Sequence, residues 1–251
     1  MNGLFVKSIG IQHELPEGSY LRNLPVIKSL QSMGRLEFTR RVTFLVGENG
    51  IGKSTLIEAL AVHQGFNPEG GTINFNFSTE DSHSELHRYL RVSKGMSSKK
   101  DGFFLRAESF YNVASNIDEM DRDLNFGRLL IDSYGGVSLH KQSHGESFMA
   151  LVKNRFGGNG LYILDEPEAA LSPSRLLELM CYIHELEKKN SQFIISTHSP
   201  ILMAYPGAEV LYLTQEGIRS VSYQETEHYQ ITKQFINAPE HMCKYLFAED
   251  E

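Results

Sequence analysis

The sequence lacks tryptophan and has only two cysteines among its 251 residues. Two thiols, Cys181 and Cys243, are too few for a disulfide framework or a structural zinc site, so both of these classes are excluded. The low cysteine count indicates a reducing, cytoplasmic setting, in which we expect both thiols to lie in the core.

Long apolar runs are also missing. No stretch approaches the ~18 residues that a membrane-spanning helix needs, and the apolar run near Met1 is too short for a signal peptide. We therefore expect no direct membrane insertion, and any work at a membrane would depend on another chain.

Basic residues are fewer than acidic ones: the chain has 24 Lys and Arg and 31 Asp and Glu, which gives a net charge of −7. This balance excludes a protein that coats nucleic acid through its overall charge, so any DNA or RNA contact would be local. Repeats of fixed period are absent from the sequence, which leaves solenoids and long coiled coils unsupported. At ~100 to 200 residues per domain, the length predicts a single domain over residues 1–251 with one insertion.

What the sequence does contain is apolar strand segments that alternate with helical segments. Uninterrupted apolar strands are typical of a mostly parallel sheet that helices cover on both faces. The sequence thus predicts an α/β fold with flanking helices and some antiparallel elements, and the motif GENGIGKS at residues 47–54 makes this a fold of the P-loop NTPase type. Residues 81–140 show few strand signals and predict an inserted helical subdomain. The predicted strands are 41–46, 161–164 and 192–195, the predicted helices start at 53, 173 and 226, and a hairpin covers 209–222.

A phosphate-binding loop is predicted at residues 47–54, GENGIGKS, which fit the pattern G-x-x-x-x-G-K-[ST] between a strand and a helix. Glycines let backbone N–H groups face inward, and the helix N-terminus adds partial positive charge. Lys53 would reach the β- and γ-phosphates of ATP, and Ser54 would bind Mg²⁺. The predicted nucleotide contacts in this loop are Asn49, Gly50, Gly52, Lys53, Ser54 and Thr55.

Polar residues follow the other two predicted strands. In a parallel sheet the ligand lies beyond the carboxyl ends of the strands, so Asp165 is predicted to orient Mg²⁺ and Glu166 to be the general base for the attacking water. His198, after the third strand, could bond the γ-phosphate or that water. Strands often end in polar residues, and a lone histidine is more often structural, so these roles depend on the phosphate loop.

A capped helix is predicted at residue 143, because Ser143 and Glu146 have the spacing of a capping box and an apolar helix face follows. This would be an exposed helix N-terminus with a free hydroxyl. A well-capped helix without a further role would show the same pattern.

The ordered motifs resemble the ABC-type ATPase domain family. Residues 47–54 match Walker A, 143–146 resemble the signature motif, 161–166 match Walker B with its glutamate, 168–172 resemble the D-loop, and His198 falls at the switch histidine. The resemblance implies ATP hydrolysis in a homodimer that forms on ATP binding, with two ATP molecules between two copies. Ser143, Gly145 and Glu146 of one copy would then complete the ATP site of the other.

Two features depart from the pattern of transporter subunits. His144 replaces a glycine of the usual signature, and no clear glutamine loop is present, since Gln64 lies near the Walker helix and Glu108 stands where a glutamine is expected. These features look more like ATPases of the RecF, SMC and OLD branch, although coiled-coil arms and an added nuclease domain are missing. The adenine contact stays open between Tyr20, Arg22 and Phe38.

The sequence supports one main function and two alternatives. The main hypothesis is a soluble ABC-type ATPase that couples its ATP cycle to DNA or to a partner protein. The alternative is the nucleotide-binding subunit of a membrane transporter whose spanning subunits are separate chains. A regulatory module without turnover is a third, against which Glu166 and His198 argue. Basic residues of the insert that could meet a phosphate backbone are Arg88, Arg91, Lys94, Lys99, Lys100 and Arg106.

Overall fold

A six-stranded sheet is the centre of the computed structural model, which describes residues 3–72, 84–123 and 136–247. The strand order in this sheet is β5-β6-β7-β3-β8-β9, and a separate three-stranded sheet has the order β2-β1-β4. The strands are β1 Val6–Ile11, β2 Leu36–Glu37, β3 Val42–Gly47, β4 Leu90–Lys94, β5 Asp101–Arg106, β6 Gly160–Asp165, β7 Gln192–Ser196, β8 Glu209–Leu213 and β9 Ile218–Val221.

The main sheet is mostly parallel. Strands β5, β6, β7, β3 and β8 run in the same direction, and β9 pairs antiparallel with β8. The predicted α/β fold with a mostly parallel sheet, and the hairpin over 209–222, are therefore confirmed. The helices are α1 Pro25–Met33, α2 Lys53–His63, α3 Phe110–Asp123, α4 His144–Arg155, α5 Pro173–Lys188, α6 Pro200–Met203, α7 Glu227–Asn237 and α8 Pro239–Leu246.

Two hydrophobic layers cover the two faces of the main sheet. Successive side chains of a strand point to opposite faces, so Phe103 packs in the layer formed by α3, α4 and α5, while Phe104 packs in the layer formed by α1 and α2. Both rings are wholly buried. Burial on both faces explains why these strands read as uninterrupted apolar runs in the sequence.

The small sheet is tied to the main sheet by Gln192, at the start of β7. Its Oε1 accepts hydrogen bonds from the backbone N–H groups of Phe5 (2.8 Å) and Val6 (2.9 Å), and its Nε2 donates to Val6 O (2.9 Å). The side chain is wholly buried. A buried amide with these partners satisfied holds β1 beside the main sheet at little cost in polar desolvation.

The insert is only partly helical, so the prediction for residues 81–140 is wrong in its first half. Strand β4 joins the small sheet beside β1, and β5 forms the edge of the main sheet beside β6. A helix, α3, begins only at Phe110. Residues 81–83 and 124–135 of the predicted insert lie outside the described residues.

The α5 and C-terminal helices correct two smaller predictions. Pro239 ends α7 as expected but also begins α8, because proline is favoured at the first position of a helix. The expectation of core thiols is wrong, since Cys181 is exposed on α5 and Cys243 is half-buried on α8. No helix formed by residues 3–72, 84–123 or 136–247 combines the length and apolar character needed to cross a membrane.

Candidate functional site

The carboxyl ends of three neighbouring strands form the edge at which the predicted site residues meet. Strand β7 lies between β6 and β3, with Asp165 opposite Ser196 and Leu45 opposite Ser196 in the parallel registers. Ligands of such sheets bind outside the carboxyl ends of the strands. The loops after β3, β6 and β7 therefore open toward the same space.

The phosphate loop turns twice through glycines in the left-handed region. Gly50 has φ 79° and Gly52 has φ 100°, values that residues with a Cβ rarely adopt. At Gly52 a Cβ would also come within 2.6 Å of Val26 Cγ1 on α1. The backbone N–H of Val26 donates to Ile51 O (3.2 Å). Helix α1 therefore packs directly against the loop and holds its curvature.

Lys53 lies inside the curl of this loop. Its Nζ donates to Gly47 O (2.7 Å) and to Glu48 O (2.9 Å), and only 4% of the residue is exposed. Burial lowers the pKa of the ammonium, while the neighbouring carboxylates, Glu166 foremost, oppose that shift. A buried cation within a ring of loop backbone at a helix N-terminus fits the polyphosphate of a nucleotide.

Ser54 and Asp165 meet across the site, as the sequence predicted for a Mg²⁺ pair. Ser54 Oγ donates to Asp165 Oδ1 (3.2 Å). The carboxylate is 4% exposed, and burial raises its pKa to about 6, an effect that Arg106 opposes and Glu166 reinforces. Arg106 Nε lies 3.4 Å from Asp165 Oδ2, while its Nη1 lies 2.8 Å from Glu58 Oε2. A hydroxyl and a carboxylate oxygen are donors that Mg²⁺ prefers, so this pair fits the metal.

Glu166 follows Asp165 in an unusual backbone conformation. Its φ of 49° and ψ of 54° lie in the left-handed region, where residues other than glycine are uncommon and often functional. Its backbone N–H donates to Ser196 O (3.0 Å), which ties this turn to the end of β7. The carboxylate is 36% exposed, and its Oε1 lies 3.4 Å from Nε2 of His198. This turn therefore leaves the predicted general base open to a water molecule and beside the predicted switch histidine.

His198 is held from two sides. Its backbone N–H donates to the carboxylate of Glu168, and its Nδ1 lies 2.8 Å from Nε2 of His228 on α7. Burial lowers the pKa of His198, and the charge of Lys53 acts in the same direction, whereas Glu166 opposes it. The structure thus brings Glu166 and His198 together with the phosphate loop.

Three residues of the site were missed by the sequence analysis. His228 lies on a helix that showed no visible chemistry in the sequence, and Arg106 was counted only as a residue of a basic surface. Glu58, on α2, holds both Arg106 and, through Oε1, the backbone N–H of Ser84 (2.8 Å). The one available signal was that Glu58 interrupts an otherwise apolar stretch of α2.

The signature segment forms the predicted capping box at the start of α4. Glu146 Oε2 accepts hydrogen bonds from the backbone N–H (3.1 Å) and from Oγ (2.6 Å) of Ser143. The expected free hydroxyl is therefore wrong, because Oγ is bonded within the cap. A Cβ on Gly145 would lie 3.3 Å from Ala170 O, so this helix start packs beside the D-loop segment. Ser143 and Glu146 are exposed and bond to each other, so their predicted contact with ATP of a second copy stays a prediction.

The residues predicted as candidates for the adenine contact differ in solvent exposure. Phe38 is 4% exposed and packs in the hydrophobic layer below α1 and α2, which leaves no open ring face for a base. Tyr20 is 59% exposed in the turn that leads into α1. Arg22 is exposed in the same turn. Since α1 packs on the phosphate loop, Tyr20 and Arg22 stay predictions for the adenine contact and Phe38 does not.

Family models place this arrangement among known ATPases. The model of the ABC transporter family matches residues 38–169, just over half of the chain. A model of an AAA domain, described for the AbiEii toxin of a type IV toxin–antitoxin system, matches residues 140–204.

Individual relatives agree with the first of these models. An ABC transporter ATP-binding protein of Haemophilus influenzae is 27% identical over 196 residues, which cover 72% of this chain and 74% of that protein. The ribose import ATP-binding protein RbsA of Rhodopirellula baltica is 25% identical over 189 residues, 69% of this chain and 36% of that protein. The chain thus spans about a third of this sugar import relative.

A solved structure supports the fold. CbiO1 from Clostridium perfringens, part of the ABC transporter complex CbiONQ, aligns with a TM-score of 0.51 and 16% identity, over 96% of this chain and 99% of that chain. At this level of identity the likeness concerns the fold alone.

Proposed function

We propose that this chain, which belongs to the ABC transporter family and is an ATPase, is the nucleotide-binding subunit of a transporter. The membrane-spanning subunits of that transporter would be separate chains. The observation that carries the ATPase chemistry is the meeting of Lys53, Asp165, Glu166 and His198 at one sheet edge. The similarity to import ATP-binding proteins such as the ribose import protein RbsA supports the transporter role. The subunit would work at the cytoplasmic face of the membrane.

The residues at this sheet edge have different roles in hydrolysis. The loop N–H groups and Lys53 would bind the β- and γ-phosphates. Ser54 and Asp165 would hold Mg²⁺, which would neutralise charge on the phosphates. Glu166 accepts the proton of the attacking water, since its carboxylate is open to solvent and beside His198. His198 then orients this carboxylate and the γ-phosphate through Nε2.

The proposed hydrolysis takes place in a homodimer that forms when ATP binds. Ser143 and Glu146 are exposed at the start of α4, and their side chains bond to each other, so this helix start is available to a second copy. The missing side chain of Gly145 leaves room for Ala170 O of the same chain, and its backbone N–H is the predicted contact. Together these residues would contact the γ-phosphate of the ATP that the second copy holds.

The signature role can be tested by changing Ser143 to arginine. We expect Ser143→Arg to bind ATP as the unchanged protein does but to lose ATP turnover by about 100-fold, because a long side chain would block the approach of the second copy. Removal of one well-placed transition-state donor alone has an effect of about this size. Phosphate release and ATP titration measure the two quantities.

A matched control for that variant is Ser220→Arg, on the exposed edge strand β9. It adds the same side chain away from the site and should leave turnover unchanged. Full turnover by Ser143→Arg would show that Ser143 is only a helix cap.

The transporter role predicts a physical complex with a membrane protein. We expect the chain to be recovered with a multispanning protein after affinity purification from detergent-solubilised membranes of its own source. Adding that protein in vesicles should change the ATPase rate at least about twofold. Two negative results together would exclude this role: no such complex is recovered from the membranes, and membrane vesicles leave the ATPase rate unchanged. Neither result would contradict the ATPase chemistry.

A second candidate is an ABC-type ATPase of the RecF, SMC and OLD branch that acts on another protein. The observation in its favour is Glu108, which is exposed two residues after β5, where transporter subunits carry a glutamine. The nucleic-acid form of this candidate has little support, because Arg106 is bound to Glu58 and Asp165 and Arg88 is bound to Glu85. An ATPase rate that DNA leaves unchanged at low salt would eliminate the nucleic-acid form.

A further inference from the structure

A second histidine, His228, lies against the switch histidine and belongs to none of the motifs. Its Nε2 is 2.8 Å from Nδ1 of His198, and the ring centroids are 4.9 Å apart at an angle of 51°. The contact joins the loop after β7 to the first turn of α7, thirty positions further along the chain. A short nitrogen–nitrogen contact of this kind requires that one of the two atoms carries a proton and the other does not.

The position of His228 is set by the anchored start of α7. Thr226 is wholly buried, and its Oγ1 accepts from the backbone N–H of Tyr229 (3.4 Å) and donates to Tyr223 O (2.6 Å). The same hydroxyl lies 3.7 Å from Sδ of Met203, at the end of α6. Because α6 begins two residues after His198, the cap of α7 and the switch loop share one packed unit. His228 is therefore held in place by the fold and does not reach the site on a flexible arm.

The direction of the hydrogen bond follows from the other side of His198. Its Nε2 is buried, makes no hydrogen bond within the described residues and lies 3.4 Å from Glu166 Oε1. Because a carboxylate only accepts, this neighbour favours the form of His198 that carries a proton on Nε2. In a neutral imidazole Nδ1 is then the acceptor. The proton between the two rings must come from Nε2 of His228.

We propose that His228 is a positioning residue for ATP hydrolysis, which donates from Nε2 to Nδ1 of His198 and so holds Nε2–H of His198 toward Glu166 and the γ-phosphate. Without this donor, His198 can place its proton on Nδ1 and turn a lone pair toward the carboxylate. That form repels Glu166 and has no proton for a phosphate oxygen. The proposal rests on the role given above to His198.

The kinetic test compares His228→Leu with His228→Gln. Leucine removes the donor, and we expect kcat to fall about tenfold. Removing the hydrogen-bond partner that orients a metal-ligating histidine lowers activity by at least this factor. KM for ATP should change less than about twofold. The amide of glutamine can place a donor near the original Nε2, so kcat should recover to within about threefold. His241→Leu, on α8, is the matched control and should leave kcat unchanged.

A double variant separates positioning from packing. If His228 acts through His198, His228→Leu should lower kcat in the unchanged protein but not further in a His198→Ala background. An additional loss in that background, or an unchanged kcat in His228→Leu, would overturn the proposal. Equal loss in the leucine and glutamine variants would also overturn it, because it would indicate packing alone.

The proton positions can be observed directly with ¹⁵N-labelled histidine. We expect His198 in the unchanged protein to show a protonated Nε2 and an unprotonated Nδ1, and His228→Leu to populate the other form. This measurement does not need turnover, so a failure of the proposed ATPase chemistry and a failure of the His228 proposal are distinguishable. A proton on Nδ1 of His198 in the unchanged protein would contradict the proposed hydrogen bond.

Discussion

Glu166→Gln should lower kcat of ATP hydrolysis by a factor of about 10² to 10⁴, the usual contribution of a general base. The amide has almost the same shape as the carboxylate but cannot accept a proton from water. ATP binding should change little, because Glu166 contacts only the edge of the site, with Oε1 at 3.4 Å from His198 Nε2. Steady-state phosphate release and ATP titration measure these two effects.

The same variant tests the dimer. Because it binds ATP without consuming it, Glu166→Gln should change from monomer to dimer in solution when Mg²⁺ and ATP are added, and light scattering gives the mass. Glu216→Gln, in the turn between β8 and β9, is the matched control and should behave as the unchanged protein in both assays. A turnover rate that stays normal in Glu166→Gln would remove Glu166 from its assigned role. A mass that stays monomeric would contradict the assignment of residues 143–146 to the ATP site of a second copy.

Lys53→Ala should weaken ATP binding about 100-fold. The ammonium is the buried cation of the phosphate loop, bonded to Gly47 O and Glu48 O. Charged hydrogen bonds contribute about 1.5 to 3 kcal/mol each, and about 2.7 kcal/mol corresponds to a factor of 100 in affinity. Isothermal titration with ATP measures the loss.

Two further variants separate loss of charge from loss of the fold. Removing Lys53 takes one positive charge away from Asp165, Glu166 and Glu168, so thermal unfolding must be measured alongside. Lys53→Arg keeps the charge and should retain more of the fold than alanine does, and Lys188→Ala, an exposed partner of Glu185, is the surface control. ATP affinity that stays within about twofold in folded Lys53→Ala would contradict the assignment of the loop.

Features whose residues lie close together in the chain could be predicted from the sequence. The strand, glycine loop and helix around Lys53 form as expected, because the positive φ of Gly50 and Gly52 and the start of α2 depend on neighbouring residues. The capping box between Ser143 and Glu146 is likewise local. A common edge for Asp165 and His198 could also be expected, since parallel strands place their carboxyl ends together.

Features that depend on pairing between distant segments could not be predicted in this way. Strand β5 was taken for part of a helical insert because its short run, Asp101–Arg106, has no helical or alternating period that identifies it. It becomes a strand by pairing with β6, about sixty residues later, at the sheet edge. The prediction that Cys181 lies in the core was wrong for a similar reason, because its exposure depends on which face of α5 the sheet covers.

The sequence by itself determined which chemical groups the chain carries and the order in which they occur: a lysine and a serine in a glycine loop, two adjacent carboxylates and a histidine after later strands. Only the tertiary structure decided the neighbours that tune these groups. Arg106 reaches Asp165 because β5 pairs with β6, and His228 reaches His198 because α7 packs on α6. Local periodicity records which face of an element is apolar, but such contacts depend on how elements far apart in the chain are arranged in space.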